Sequence, residues 1–298
     1  SDTGDLHLKR HATWGMQVKI STLAAATVSS LALATSAQAA VTLTLVDSYA
    51  RSNAFGLAYD GSNIWWSDSG GAIHGMSTNG VDTGKTVQGP YWSALAYNDG
   101  ANKLVVMQNG SIVQFDRPTG LGETYTNLNP STTPIAGGYG GLIDGLDTQG
   151  SRLWWSPDVD KVYHSPLDGS GSRTEFLGGA GGYSGVEYVN VSGNEYVIVV
   201  NDASSPRRLC VHLMDASEVG CTTLPNSRYE DLAFDGRYLY AADFYGSRID
   251  KIDLLSDGGS IFEPPTGGIP EPGTWGLLIL GLGATGAMLR RKHRLAWA

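Results

Sequence analysis

The stretch FGLAYDGSNIWWSD, from Phe55 to Asp68, joins two short apolar segments through a turn that contains glycine. Its segments are rich in the aliphatic and aromatic residues that are enriched in β-strands. The dipeptide Asp60-Gly61 is typical of tight turns. The stretch therefore predicts a β-hairpin. Side chains alternate along a strand, so we expect the paired tryptophans Trp65 and Trp66 to pack on opposite faces in the core.

This two-strand unit recurs along the chain, and most copies continue into a third strand. The units align at Leu57, Leu95, Leu146, Val186 and Leu232, which gives spacings of 38, 51, 40 and 46 residues. A period of about 40–50 residues is typical of propeller blades. The repeat therefore predicts one blade for each unit.

Short β-prone segments predict a fourth strand in the first four units: Gly84–Gln88, Gly122–Leu128, Ser172–Leu177 and Gly220–Leu224. The fifth unit has no such segment, whereas Val41–Tyr49 is strand-like and has no unit of its own. We therefore predict an all-β fold, a β-propeller of five four-stranded blades over residues 40–262. The N-terminal strand would close the ring and so remove exposed sheet edges. A sixth blade between Leu95 and Leu146 and an open β-solenoid are the alternatives.

Three segments carry a likeness to known propellers: IWWSDSGGAIHGMSTNG (64–80), LWWSPDVDKVYHSPLDGSG (153–171) and LYAADFYGSRIDKIDL (239–254). They resemble the Tyr-Trp-Thr-Asp repeats of low-density-lipoprotein-receptor-type propellers, and they are similar to NHL-type and gluconolactonase-like propellers. Those families usually have six blades, so the five units of this chain depart from them. The resemblance implies the fold and does not transmit an activity.

Residues 16–39 have the pattern of a secretory signal peptide. Lys19 precedes an apolar, alanine-rich segment, Ile20–Ala34, and the triplet Ala37-Gln38-Ala39 is a small-x-small cleavage site. This pattern predicts an N-terminal signal helix that is removed after Ala39. Residues 1–15 lie upstream of Met16 and have no signal-peptide character, so we treat them as an upstream extension outside the fold.

The C-terminal region combines Pro270-Glu271-Pro272, an apolar stretch and a basic cluster. Thr274–Leu289 carries no charge and is slightly shorter than the ~20 residues of a typical spanning helix. Arg290, Arg291 and Lys292 follow it, and basic residues beside a span stay on the cytoplasmic side. We predict a Pro/Gly linker over 263–273 and a transmembrane helix with a basic tail over 274–294. A buried C-terminal core helix is the alternative.

This order of elements resembles the PEP-CTERM sorting signal of Gram-negative bacteria. The resemblance implies a precursor anchored in the inner membrane and cleaved near residues 270–272 by a processing enzyme of the exosortase type. It further implies a location at the cell surface or outside the cell, with exopolysaccharide or a surface protein as a partner. It assigns no molecular activity, because unrelated domains carry such tails.

The charge of the mature chain excludes some partners. Without the seven basic and three acidic residues of the two ends, the totals of 20 basic and 29 acidic residues leave a net charge of −13. Nucleic-acid binding rests on the neutralisation of phosphates by Lys and Arg, so it is not predicted. The same negative charge argues against docking on anionic lipid, and it suits solubility outside the cell.

The two cysteines, Cys210 and Cys221, flank VHLMDASEVG, which is predicted as two strand ends around a turn. Exported proteins commonly form disulfides, so we predict one across this hairpin. No His or Cys partners occur at metal-ligand spacing. We therefore predict no metal site and no cofactor.

A candidate ligand surface precedes the first strand of each blade, where loops usually meet at the mouth of the channel. Its candidate ligand-binding residues are Tyr91, Trp92, Asp144, Tyr183, Tyr229, Glu230 and Asp231. Aromatic rings stack on the apolar faces of sugars and polar groups fix the hydroxyls, so this surface suits a glycan. Packing and turn roles are the alternative.

The sequence holds no nucleophile elbow, phosphate loop or zinc motif. The prediction is therefore a non-catalytic, surface-sorted propeller that binds a glycan or a protein in the extracellular matrix, or a purely structural matrix component. A metal-dependent lactonase or lyase is the alternative. Such an enzyme would need at least three of five carboxylates to converge in the channel: Asp144, Glu187, Asp202, Glu230 and Asp231.

Overall fold

A computed structural model describes residues 40–263 except 109–110, 127–132, 138–142, 150–151, 158–160, 168–171, 180–181, 203–204, 225 and 257–258. The regular secondary structure of these residues consists of β-strands. The strands form five separate sheets, and each sheet is one blade of a propeller. In each blade the first strand lies innermost, next to the axis.

The first strand, β1 (Thr42–Ala50), belongs to the last blade. Blade 1 contains β2 (Ala54–Tyr59), β3 (Asn63–Asp68), β4 (Ala72–Ser77) and β5 (Asp82–Gln88). Blade 2 contains β6 (Leu95–Asn98), β7 (Lys103–Gln108), β8 (Ser111–Phe115) and, after β9 (Thr124–Tyr125), β10 (Thr133–Gly137). Blade 3 contains β11 (Gly145–Gln149), β12 (Arg152–Ser156), β13 (Lys161–Pro166) and β14 (Thr174–Gly178). Blade 4 contains β15 (Tyr183–Val191), β16 (Asn194–Asn201), β17 (Arg208–Leu213) and β18 (Glu218–Thr223). Blade 5 contains β19 (Tyr229–Phe234), β20 (Leu239–Asp243), β21 (Arg248–Ser256), the short β22 (Gly259–Ser260) and β1.

The N-terminal strand closes the ring, as predicted. β1 pairs antiparallel with β21, from Thr42 opposite Leu255 to Ala50 opposite Arg248. Val41, just before β1, is buried in the same hydrophobic cluster as Leu254. Closure therefore combines a ladder of backbone hydrogen bonds with burial of apolar surface, and the five-bladed fold is confirmed.

The prediction that Gly122–Leu128 supplies the fourth strand of blade 2 is wrong. Within this segment, β9 instead pairs in parallel with β5 of blade 1, and β10 is the fourth strand of blade 2. The physical reason is that β5 is the outer edge of its sheet, and β9 covers backbone groups that an edge strand would leave unpaired. A sixth blade would have needed the long interval between Leu95 and Leu146. The described residues of that interval instead include β9, which joins blade 1, and β10, which completes blade 2.

The paired tryptophans are buried in the core on opposite faces of their strand, as predicted, and both faces lie between blades. Trp65 packs with Leu95 of blade 2, whereas Trp66 packs with Tyr240 of blade 5. The second pair, Trp154-Trp155, is divided in the same way between blades 4 and 2. Each pair therefore fills the interface on both sides of its blade.

The serine after each tryptophan pair links neighbouring inner strands. Ser67 Oγ accepts the Gly56 N–H at 2.8 Å and donates to Ser93 O of the segment leading into blade 2 at 2.6 Å. In the same way, Ser156 Oγ of blade 3 donates to Ser184 O of blade 4. A Trp-Trp-Ser segment thus supplies both the packing and a hydrogen bond between blades.

The predicted disulfide is present in blade 4. Cys210 of β17 lies directly opposite Cys221 of β18, and their Cα atoms are 4.0 Å apart. Glu218 lies close to the two sulfur atoms. Sulfur atoms in a disulfide are not the thiolates that bind metals, so we do not interpret this group as a metal site.

No helix within the described ranges has the length and apolarity needed to cross a membrane. The predicted signal helix and the predicted transmembrane helix lie outside those ranges. The same holds for six residues of the predicted sorting signal: Pro270, Glu271, Pro272, Arg290, Arg291 and Lys292.

Candidate functional site

The axis of the propeller is occupied by one carboxylate. The innermost strand of each blade is an edge strand, whose outward N–H groups need acceptors. Asp231 Oδ2 accepts N–H bonds from Leu57 at 2.9 Å and Leu95 at 3.0 Å. Its Oδ1 accepts from Leu146 at 3.3 Å and Leu232 at 3.0 Å. Four of the five blades therefore share the Asp231 carboxylate.

Small residues in the other units leave room for this single side chain. The position of Asp231 is taken in those units by Gly56, Ala94, Gly145 and Gly185. A Cβ atom on Gly56 would lie 2.7 Å from Leu95 N, and one on Gly185 would lie 2.9 Å from Leu232 Cγ. Asp231 is fully buried, and this burial raises the pKa of its carboxyl well above the usual range although four amides oppose the shift.

The structure separates the seven candidate ligand-binding residues into two groups. Tyr91 and Trp92 are exposed, and Tyr183 is half-buried. The other four are buried: Asp144, Tyr229, Glu230 and Asp231. The side chains available to a ligand on the upper face, which we define as the end where the inner strands begin, therefore belong mainly to the Tyr91-Trp92 loop and to residues outside that set.

Trp92 belongs to an aromatic cluster on the upper face. Its ring centroid lies 5.8 Å from that of Phe55 and 4.9 Å from that of Phe244. Tyr245 continues the cluster, 5.2 Å from Phe244, and is 67% exposed. We call Phe55, Trp92, Phe244 and Tyr245 the upper aromatic cluster. Sequence reasoning missed Phe244 and Tyr245, although they directly follow the second strand of the fifth unit.

The backbone of Trp92 is strained. Its φ angle is 51°, in the left-handed region where a bulky residue is a genuine outlier. Such a conformation costs on the order of 1–3 kcal/mol, and strained residues of this kind cluster at functional sites. This backbone conformation places the Trp92 indole in contact with Phe55 and Phe244, and Trp92 remains 41% exposed.

A pocket of about 380 Å³ lies beside this cluster and is lined by Arg207, Asn226, Arg228 and Tyr245. The Arg228 guanidinium lies 4.8 Å from the centroid of the Tyr245 ring and donates to the Tyr245 hydroxyl at 2.9 Å. Arg207 Nε donates to Asp202 O at 3.1 Å. Arg207 makes no ion pair with a carboxylate among the described residues, so its charge remains available to a ligand. We call this the arginine pocket.

The five carboxylates of the lactonase alternative are distributed along the molecule. Asp202 and Glu230 both form ion pairs with Arg228, the second at 3.2 Å. Asp231 lies on the axis, and Glu187 lies at the lower mouth, the end where the inner strands finish. Among the described residues, no three of the five have carboxylate oxygens within 4.8 Å of one another. The convergence that the enzyme would require is therefore missing from this part of the chain.

Asp147, at the lower mouth, is a buried acid whose contacts resemble those of Asp231. Its Oδ1 accepts the Thr148 N–H at 2.6 Å, and its Oδ2 accepts the Tyr188 N–H of blade 4 at 3.0 Å. Burial raises the pKa of the Asp147 carboxyl to about 7, and the nearby charge of Asp99 acts in the same direction. The amides of Tyr188 and Thr148 oppose this shift.

The raised pKa of Asp147 predicts a pH-dependent stability. Its pKa rises from the ordinary aspartate value of 3.8 to about 7 on folding, so the folded protein binds the proton more tightly. The stabilisation by the bound proton is complete below about pH 4 and is lost as the pH rises towards 7. Between pH 5 and pH 8, we expect the wild type to lose about 2–3 kcal/mol relative to Asp147→Asn.

Urea denaturation at intervals across that range measures this difference. The matched control is Asp82→Asn, because Asp82 is an exposed aspartate. The Asp82→Asn curve should run parallel to that of the wild type. Parallel curves for Asp147→Asn and the wild type would contradict the assigned pKa.

Comparison with known proteins adds a sorting signal and a fold. Residues 268–292 match the PEP-CTERM protein-sorting motif. No curated protein sequence matches the chain. Among solved structures, glutaminyl cyclase from Myxococcus xanthus is similar, with a TM-score of 0.52 and 14% identity over 73% of this chain and 98% of that chain. A likeness at this identity shows a shared fold alone.

Two further structures match at lower TM-scores. A chain of the mitotic checkpoint complex has a TM-score of 0.40 and 15% identity, over 65% of this chain and 62% of that chain. The WD40 β-propeller domain of Doa1 has a TM-score of 0.39 and 10% identity, over 74% of this chain and 71% of that chain.

Proposed function

We propose that this exported, surface-sorted propeller is a non-catalytic binding protein that holds an acidic exopolysaccharide on its upper face. The sorting motif, which marks an exosortase substrate with a membrane-anchored precursor, gives the route to the cell surface. The observation that carries the proposal is the arginine pocket. There an exposed tyrosine ring, Tyr245, lies beside two guanidinium groups.

The chemistry of this pocket suits a sugar that carries a carboxylate. An aromatic ring stacks on the apolar face of a sugar, and a guanidinium pairs with a carboxylate through two parallel hydrogen bonds. The Asn226 side chain at the rim can bind sugar hydroxyls. Since the mature chain has a net charge of −13, long-range attraction does not favour a polyanion. Binding therefore depends on these local contacts and weakens as salt is added.

The distribution of the acids favours binding over the lactonase or lyase alternative. Asp202 and Glu230 serve as partners of Arg228 and fix its guanidinium beside Tyr245. Asp231 uses both oxygens to accept backbone N–H groups. These three carboxylates therefore support the fold and the arginine pocket.

We expect the mature protein to bind polygalacturonate more tightly than the neutral glucan dextran, as measured by biolayer interferometry at low salt. Arg207→Gln and Tyr245→Ala should each raise the Kd for polygalacturonate at least about tenfold, which corresponds to 1.4 kcal/mol. Trp92→Gly should also weaken binding. Glycine tolerates the φ of 51° at that position, so this variant removes the indole without new backbone strain.

The matched control is Arg173→Gln. Arg173 is exposed and lies 5.1 Å from the centroid of the Tyr163 ring on blade 3, away from the upper face. It reproduces the pairing of an arginine with a tyrosine without the pocket. Equal losses of binding in Arg173→Gln and Arg207→Gln would refute a specific site, and equal affinity for dextran and polygalacturonate would refute the charged ligand.

A further inference from the structure

A second cavity, of about 260 Å³, opens at the lower mouth of the propeller. Its lining includes four aromatic residues, each from a different inner strand: Tyr59, Tyr97, Tyr188 and Phe234. Asp147 and Glu187 also line it. We call this cavity the lower funnel. It lies at the opposite end of the axis from the arginine pocket.

The two carboxylates of the lower funnel are more than nine-tenths buried and lack a positive partner. Asp147 and Glu187 are 9% and 7% exposed. Glu187 Oε1 accepts the Phe234 N–H at 2.8 Å, whereas Glu187 Oε2 has no hydrogen bond to a described residue. No basic side chain in the described part of the chain forms an ion pair with either acid. Burial raises the pKa of the Glu187 carboxyl well above its usual range. A cation beside its unbonded oxygen would stabilise the charged form of this acid, so the lower funnel favours a ligand that supplies a positive charge.

The surroundings favour an organic cation over a metal ion. Aromatic rings attract ammonium groups through their faces, and cages of such rings recognise ammonium ligands. A hard metal ion would instead take six or more oxygen ligands. Among the described residues, no three acidic groups at this mouth have oxygens within 4.8 Å of one another. The size of the cavity also lies just below the range typical of pockets for drug-sized ligands, which suits a single sugar ring or a short amine.

We propose that the lower funnel binds the primary ammonium group of a small organic ligand, with Glu187 and Asp147 as its counter-charges and the surrounding rings as its walls. Glu187 Oε2 accepts a hydrogen bond from the ammonium. Asp147 contributes its charge while its two oxygens remain bonded to backbone amides. The site is independent of the upper face and does not require polysaccharide binding there.

The test uses isothermal titration calorimetry on the mature protein with two matched sugars. Glucosamine carries an ammonium group, whereas N-acetylglucosamine has the same ring without that charge. We expect glucosamine to bind with a Kd at least about tenfold lower than that of N-acetylglucosamine. Putrescine and Nα-acetyl-lysine amide, whose side-chain ammonium group is free, are titrated in the same way. Binding of all three amines identifies a general ammonium site, and binding of glucosamine alone identifies an amino-sugar site; both results support the proposal.

The variant Glu187→Gln preserves the acceptor for Phe234 and removes the charge. It should weaken glucosamine binding at least about tenfold, and Trp92→Gly on the upper face should leave it unchanged. If Glu187→Gln does not fold, the comparison of the two sugars still decides the matter. Perturbation of the Phe234 amide resonance by glucosamine would then locate the site.

Three results would overturn the proposal. One is equal binding of the two sugars. Another is the absence of amine binding at concentrations up to about 10 mM. The third is binding of calcium, but not of amines, in a manner that Glu187→Gln abolishes.

Discussion

Replacing Asp231 with alanine is expected to lower the free energy of unfolding by about 4 kcal/mol. The wild-type carboxylate accepts four backbone N–H groups, from Leu57, Leu95, Leu146 and Leu232. Each buried donor that loses its acceptor costs about 1–3 kcal/mol. Removal of the acid also relieves the cost of burying a carboxyl, which offsets part of this loss. Four orphaned donors outweigh that relief, because all four amides would be left without this acceptor on the buried axis.

Asp231→Asn separates the loss of the acceptor from the loss of volume. Asparagine has nearly the same shape, but its amide nitrogen would face N–H groups that need an acceptor. We expect this variant to lose more than about 2 kcal/mol in guanidinium unfolding. The exposed Asp82→Asn should stay within about 0.5 kcal/mol of the wild type. Wild-type stability in Asp231→Asn would show that the axial amides do not depend on a carboxylate.

Deletion of residues 40–50 is expected to abolish the folded monomer. This deletion removes all of β1, which pairs with β21 along its whole length. It also leaves β21 as an open sheet edge and removes Val41 from the cluster that contains Leu254. Domains of this kind are stable by only about 5–15 kcal/mol, so the loss of a complete outer strand is comparable to the total. Size-exclusion chromatography and circular dichroism should show aggregated or unfolded protein.

A peptide with the sequence of residues 40–51 tests whether the effect is due to closure. Added in trans, it should restore a folded and soluble species, because the edge of β21 offers the same backbone groups to a separate strand. A peptide of scrambled sequence is the matched control. If the truncated chain is a stable monomer without any peptide, the ring does not depend on β1 for closure.

The repeat spacing and the complementary gaps at the two ends were sufficient to predict five blades closed by the N-terminal strand. Alternation along a strand was sufficient to place Trp65 and Trp66 on opposite faces in the core. The sequence did not reveal the course of Gly122–Leu128, because strand propensity does not specify which sheet a strand joins. The pairing of β9 with β5 depends on a tertiary neighbour.

The candidate site was harder to predict for a related reason. Tyr229 and Asp231 lie in the first half of the inner strand β19, near the expected channel mouth, but both are buried. One signal was available in the alignment: Asp231 is the single acid in a column otherwise composed of glycine and alanine. An acid in a column of the smallest residues indicates a position on the axis. Two positions further along each unit from that of Asp231, Asp147 and Glu187 occupy the column that holds alanine in the other three units (Ala58, Ala96 and Ala233). Both acids line the lower funnel.

The axial carboxylate also imposes an order on folding. The Asp231 side chain is separated by 174 residues from Leu57 and by 136 residues from Leu95, and Ser48 of β1 bonds to Asp250 across 202 residues. Contacts that are so distant along the chain form slowly, because a long loop must close before they contribute. A chain that is synthesised from its N-terminus therefore cannot complete its ring until the fifth blade has been made. The early blades remain an open array until then, and the last blade carries both the acid for the axis and the partner for the first strand.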